Sequence, residues 1–130
     1  MMKTILVVED QEDNRRILRD LLANAGYQMV EAEDGEQALV QAAKCDPDLI
    51  LMDIQLPLMD GYEATRRLKA DPMHKNVRIV ALTAYAMKGD EEKALAAGCD
   101  GYLSKPIDTR TFPRMVASFL GDPADPEEKR

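Results

Sequence analysis

The stretch DLILM at residues 48–52, followed at once by Asp53, decides how the chain is read. Four consecutive apolar residues with no polar alternation suit a strand covered on both faces, as in a parallel sheet, rather than one with a wet side. Asp46-Pro47 breaks the chain just before it. A carboxylate then ends the most apolar run of the sequence, where a buried strand would emerge at the edge of its sheet.

Working outward, the same unit recurs. Thr4 to Val8 (TILVV) is a short apolar strand, followed by a helix expected over roughly Glu12 to Ala25, with Ile17, Leu18, Leu21 and Leu22 on one stripe. Glu12 or Asp13 serves as its cap, and Gly26 sits where a helix end needs one. Gln28 to Ala32 is a second strand. Asp34 caps a helix running to about Lys44 with Ala38, Leu39, Ala42 and Ala43 inward. After Asp53 come a loop with Pro57 and Gly61, a helix from about Tyr62 to Ala70, a strand at Val77 to Leu82 and a helix over Lys88 to Ala97 that ends at Gly98. A short strand at Gly101 to Ser104 and a last helix over about Thr109 to Leu120 close the pattern. Phe112, Met115, Val116, Phe119 and Leu120 share one face of that helix, and Pro113 lies in its first turn. Five strand-then-helix units imply a parallel sheet with right-handed crossovers and helices on both faces.

The chain has 130 residues, which suggests one domain over 1–120 with a disordered acidic tail over 121–130 (GDPADPEEKR). The natural-looking start and this tail favour a stand-alone protein. With 24 acidic and 17 basic residues the net charge is −7, against direct nucleic-acid binding and against an anionic membrane surface. No apolar run approaches the roughly 20 residues that span a bilayer, and the N-terminus carries no signal peptide. Cys45 and Cys99 are read as two reduced thiols. His74, in the loop DPMHKN, is read as a surface loop residue. Met29, Met52 and Met115 are assigned to the core, and Met59, Met73 and Met87 to loops, exposed near the site.

In a sheet of this kind function is expected at the carboxyl ends of the strands. Those ends carry Glu9 and Asp10, Asp53, Thr83, and then Ser104, Lys105 and Pro106. Three carboxylates brought together repel one another unless a cation joins them. Oxygen ligands favour a hard ion, and magnesium is the common choice with carboxylates and phosphate. A magnesium ion, the Lys105 ammonium and the Thr83 hydroxyl around Asp53 make a site for nucleophilic attack by a carboxylate on phosphorus, giving an aspartyl phosphate. Each residue alone has a plainer reading: a lone acid after a strand is usually a turn former, and a lone Thr or Lys is usually solvated. The joint pattern favours the phosphoryl site.

These residues also carry a resemblance. The stretches ILVVED at 5–10, LILMDIQLPLMDGYEATRRLK at 49–69 and IVALTAYAMKGDEEKALAAGCDGYLSKPI at 79–107 closely resemble the receiver domains of two-component response regulators, over about residues 3 to 120. The likeness is strongest to single-domain regulators of the DivK type and to receivers of hybrid histidine kinases. It implies a flavodoxin-like fold with strand order 2-1-3-4-5. It implies that Asp53 accepts a phosphoryl group from a phosphohistidine on a histidine kinase or histidine phosphotransfer protein. Magnesium would be held by Glu9, Asp10, Asp53 and the backbone carbonyl of Gln55, with Asp10 in direct contact. Thr83 would move to the phosphoryl oxygen, Lys105 would pair with it, and Lys105-Pro106 would be cis. Tyr102 would swing inward, changing the face made by the fourth helix, fifth strand and fifth helix so that a downstream protein binds. The resemblance further implies a bacterial, cytoplasmic protein, monomeric or weakly dimeric, that is a switch rather than an enzyme. Glu9 departs from the Asp of many members. Gln55 and Tyr85 occupy positions that tune dephosphorylation.

Three rivals are weaker. A magnesium phosphohydrolase would want an acid two residues after its nucleophile, where Gln55 stands. A pseudo-receiver would lack a site residue, and none is missing. A flavin or nucleotide binder would carry a Gly-rich loop after the first strand, where EDQEDN stands.

Overall fold

The computed structural model describes residues 2–56, 59–83 and 88–121. Five strands, β1 (Thr4–Val8), β2 (Gln28–Ala32), β3 (Leu49–Asp53), β4 (Arg78–Thr83) and β5 (Gly101–Ser104), form one parallel sheet in the order β2-β1-β3-β4-β5. Helices α1 (Glu12–Asn24), α2 (Gly35–Cys45), α3 (Gly61–Ala70), α4 (Lys88–Ala97) and α5 (Phe112–Leu120) follow the strands in turn. This is the flavodoxin-like fold. The expected tail beyond Gly121, together with Pro57, Tyr85 and Met87, lies outside the described residues.

Alternate side chains of the central strands supply two cores. Leu6, Val8, Ile50, Met52, Ile79 and Ala81 pack toward α2, α3 and α4. Ile5, Val7, Leu49, Leu51, Val80 and Leu82 pack toward α1 and α5, against Leu18, Leu22, Phe112 and Val116. Every residue of β3 is buried, as a strand with two neighbours and two helical layers demands. Helix ends are set locally. Asp34 and Asp60 cap α2 and α3 by accepting from the backbone N–H of Gln37 and Glu63. Gly26, with φ 88°, takes the left-handed turn that lets the chain leave α1 for β2.

Several expectations need correction. Helix α1 is capped by no side chain: Glu12 and Asp13 lie inside its first turn, Gln11 is the residue before it, and the Gln11 N–H donates to Glu9 instead. Its buried stripe is Arg15, Leu18 and Leu22, while Ile17 is exposed. The arginine pays for its burial with ion pairs, which hydropathy does not register. Ala43 points to solvent, and Met115 is partly exposed, because α2 and α5 bury narrower faces than their apolar content suggests. Helix α5 begins at Phe112, the preceding residues 109–111 forming a turn. Met59 is half-buried against the core, whereas Met73 is exposed.

His74 is the largest correction. It is 4% exposed, not a surface residue. Its Nε2 donates to the Ala42 carbonyl at 3.1 Å, tying the loop before β4 to the end of α2. Its Nδ1 lies 3.4 Å from Asp71 Oδ2 without hydrogen-bonding geometry. The partner that buries the ring is a backbone carbonyl 32 residues away, invisible to a reading of neighbouring residues. Cys45 and Cys99 are free thiols, half-buried and buried, and burial pushes both thiols above the ordinary range.

Candidate functional site

Consecutive parallel strands put their carboxyl ends on one edge, so the residues that follow them are brought together whatever their distance in sequence. Asp53 is the last residue of β3, and its neighbours in the ladder are Leu82 and, one step on, Thr83 at the end of β4. Thr83 pairs in turn with Ser104 of β5, and the Lys105 N–H donates to the Thr83 carbonyl at 2.7 Å. Glu9 extends β1, its N–H donating to Ala32 of β2 at 3.0 Å. Glu9, Asp53 and Thr83 are all buried and Asp10 half-buried.

One carboxylate oxygen from each of Glu9, Asp10 and Asp53 lies within 4.8 Å of the others. The Lys105 ammonium sits between two of them, 2.5 Å from Glu9 Oε1 and 3.0 Å from Asp53 Oδ2. Burial opposes the charge on Lys105. The hydrogen bonds it donates to Glu9 and Asp53 and the attraction of both carboxylates outweigh it, and hold the ammonium pKa above the ordinary lysine value. Even so, among the described residues one ammonium stands against three acids, and that set keeps a surplus of negative charge. All its donor atoms are oxygens, the set that a hard divalent cation takes. The residues present therefore fit magnesium.

The remaining polar contacts fix orientation. The Gln55 N–H donates to Asp53 Oδ1 at 2.9 Å, leaving Oδ2 for Lys105. Glu9 Oε2 accepts from the Gln11 N–H at 3.1 Å and Oε1 from Asn14 Nδ2 at 3.2 Å. Arg15 Nη1 donates to the Glu9 carbonyl at 2.7 Å. Sequence reasoning missed Asn14 and Arg15. The available signal was Arg15 itself, a cation at helical spacing from Leu18 and Leu22 with acids at 9, 12, 31 and 33. The Lys105-Pro106 peptide is cis. Tyr102, paired with Ala81, lies on the same sheet face as Thr83 and is half-buried. Beside the acids a cleft of about 130 Å³ opens between α1 and the chain after β5, floored by Leu18 and Leu82 and edged by Ile17, Pro106 and Ile107. Among the described residues no helix is long and apolar enough to cross a membrane.

With this geometry in place, comparison with known proteins is specific. The model of the response regulator receiver domain matches residues 5–117. The polar-differentiation response regulator DivK of Brucella ovis is 45% identical over 122 residues, covering 94% of this chain and 99% of the relative. The receiver domain of a sensor histidine kinase from Pseudomonas aeruginosa PAO1, solved with a magnesium ion coordinated in its active-site cleft, superposes with a TM-score of 0.86 at 38% identity, covering 94% of this chain and 100% of that one. The chemotaxis response regulator CheY4 of Vibrio cholerae gives 0.87 at 28% identity, covering 92% and 99%. The chain belongs to the response regulator receiver domains of two-component signalling.

Proposed function

We propose that this receiver domain, residues 1–120, is a switch operated by phosphorylation of Asp53. The observation that carries the reading is the Lys105 ammonium held between Glu9 and Asp53, with Asp10 completing the oxygen cluster. An oxygen of the Asp53 carboxylate forms the new bond to phosphorus as the bond to a donor histidine nitrogen breaks, and the leaving imidazole keeps the electron pair. The donor is a histidine kinase or a histidine phosphotransfer protein.

Magnesium, held by Glu9, Asp10, Asp53 and the Gln55 carbonyl, supplies the charge neutralisation that lets an anion approach three acids. The chain's own residues do the rest. The Gln55 N–H orients Asp53. Lys105 stands ready to pair with a phosphoryl oxygen, and the Thr83 hydroxyl is recruited to another. The apolar cleft edged by Ile17, Pro106 and Ile107 gives a donor protein a seat beside Glu9 and Lys105, the two residues that flank the Asp53 carboxylate. Movement of Thr83 makes room for Tyr102 on the same sheet face, which changes the surface made by α4, β5 and α5 for a downstream protein. Phosphorylation shifts this equilibrium by its different interaction with the two states. The cell compartment this reading implies is the bacterial cytoplasm.

Intact mass tests it. Incubation with magnesium and a small acyl-phosphate donor is expected to add one phosphoryl group, lost with chelator and lost in Asp53→Asn. No addition under rapid quenching, even from a phosphorylated histidine donor, would reduce the site to a phosphorylation-independent binding module.

A further inference from the structure

Glu9 and Asp10 are consecutive, and the backbone is held on both sides of the Glu9 side chain. The Glu9 N–H is fixed by Ala32 of β2, and the Glu9 carbonyl accepts from Arg15 Nη1 at 2.7 Å. Because the peptide is planar, fixing that carbonyl fixes the plane from which the Asp10 side chain departs. Asp10 itself needs the help. Apart from an exposed contact with Gln11 Nε2 at 3.3 Å, no hydrogen-bond donor to its carboxylate is identified among the described residues, while two other carboxylates lie within 4.8 Å.

The guanidinium that does this is buried, 7% exposed, and anchored from three elements. Its Nη2 lies 2.5 Å from Glu12 of α1 and 3.5 Å from Glu33 before α2, and its Nε 3.2 Å from Glu31 of β2. Only the rigid fork of an arginine can reach a carbonyl and three carboxylates at once. Arg19 shares the same network, 2.6 Å from Glu31 and 3.6 Å from Glu12, but is more exposed and has no identified contact with the Glu9–Asp10 peptide. The network thus has an inner arginine that touches the site backbone and an outer one that does not.

We propose that Arg15 is a positioning residue of the metal site: its guanidinium, braced by Glu12, Glu31 and Glu33, holds the Glu9–Asp10 peptide so that both carboxylates face Asp53. The inference rests on the metal-site reading above. It also makes Glu31 and Glu33, at and just beyond the end of β2, residues from which metal affinity is set without their touching the ion.

The test is direct binding of Mn²⁺, an oxygen-preferring stand-in for magnesium, followed by loss of the free-ion electron paramagnetic resonance signal in the full chain. Arg15→Met is expected to weaken binding about tenfold, the usual scale for removing a group that orients a metal ligand. Arg19→Met, which deletes the same charge from the same network, is expected to leave it unchanged. Arg15→Lys keeps charge and stem but cannot hold carbonyl and glutamates together, and is expected to fall between; it also serves if Arg15→Met does not fold. Wild-type affinity in a folded Arg15→Met or Arg15→Lys, or equal losses at Arg15 and Arg19, would overturn the proposal. Failure of the wild type to bind Mn²⁺ in an Asp53-dependent way would instead overturn the metal site itself.

Discussion

The two ends of the sheet treat charge differently. At the amino ends of the strands Asp48 and Asp100 each have donors of their own. Asp48 Oδ2 accepts from the Thr4 N–H at 2.8 Å, where β1 and β3 begin. Asp100 Oδ2 accepts from the Ile79 N–H and from Lys69 Nζ, both at 2.9 Å. Lys69 also donates to the Val77 carbonyl, and Arg78 to the Phe119 carbonyl. At the carboxyl ends three acids lie together, and among the described residues the Lys105 ammonium reaches two of them, Glu9 and Asp53. The first arrangement is what stability alone selects. The second leaves repulsion in place, which is tolerable only if a ligand or cation relieves it. Charges settled at one edge and left unsettled at the other are the physical ground for the site proposed at the carboxyl ends.

The largest effect is expected at Gly61. A Cβ there would lie 2.3 Å from the Asp53 carbonyl oxygen and 2.6 Å from Ile54 Cα, both backbone atoms that cannot step aside. At the other edge a Cβ on Gly101 would meet only the Phe119 ring, at 2.3 Å, which can rotate or slide. Gly61→Ala is expected to cost about 3 kcal/mol in urea unfolding, and Gly101→Ala clearly less. Equal costs would mean that the site edge is no more tightly built than the opposite one.

Next is Lys105→Met, which removes the cation and leaves Glu9 and Asp53 facing each other. Stripping one partner from a buried ion pair costs about 3–5 kcal/mol, and with the lysine side chain 20% exposed about 2 kcal/mol is expected in chelator. Magnesium should restore part of it. The sign with pH follows from the raised ammonium pKa. The stabilisation is present below the ordinary lysine range and is lost as pH rises through the elevated folded value. Alkaline unfolding of the wild type should show this loss, and Lys105→Met should lack it.

How much of this the sequence carried depends on the range of the interaction. Strands and crossovers follow from runs such as DLILM, and the parallel order then delivers Glu9, Asp10, Asp53, Thr83 and Lys105 to one edge without any knowledge of side-chain packing. What stayed hidden are polar groups buried by distant partners. Arg15 sits on the inward stripe of α1 because Glu31 and Glu33 meet it there. His74 is buried because α2 offers it a carbonyl. Ile17, read as core, belongs to the cleft beside the acids. Hydropathy periodicity ranks residues by transfer from water, and a buried cation with four partners breaks that ranking.

The finest test sets one acid from each edge against the other. Asp48→Ala deletes the acceptor of a backbone N–H, and is expected to destabilise by about 1 kcal/mol. Asp10→Ala deletes an acid whose identified partner is a side-chain amide at 3.3 Å in an exposed contact, and which sits within 4.8 Å of two other carboxylates. It is expected to stabilise the metal-free protein by about 0.5 kcal/mol, since what it removes is mostly the repulsion of one half-buried, solvent-screened charge by its two neighbours. The gain should vanish when magnesium is added, because the wild type then recovers what repulsion had cost and the variant has lost a ligand. Opposite signs for the same substitution would tie the charge surplus to the site edge alone. A loss at both edges would mean that Asp10 is held by donors of its own, and that its charge is settled as those of Asp48 and Asp100 are.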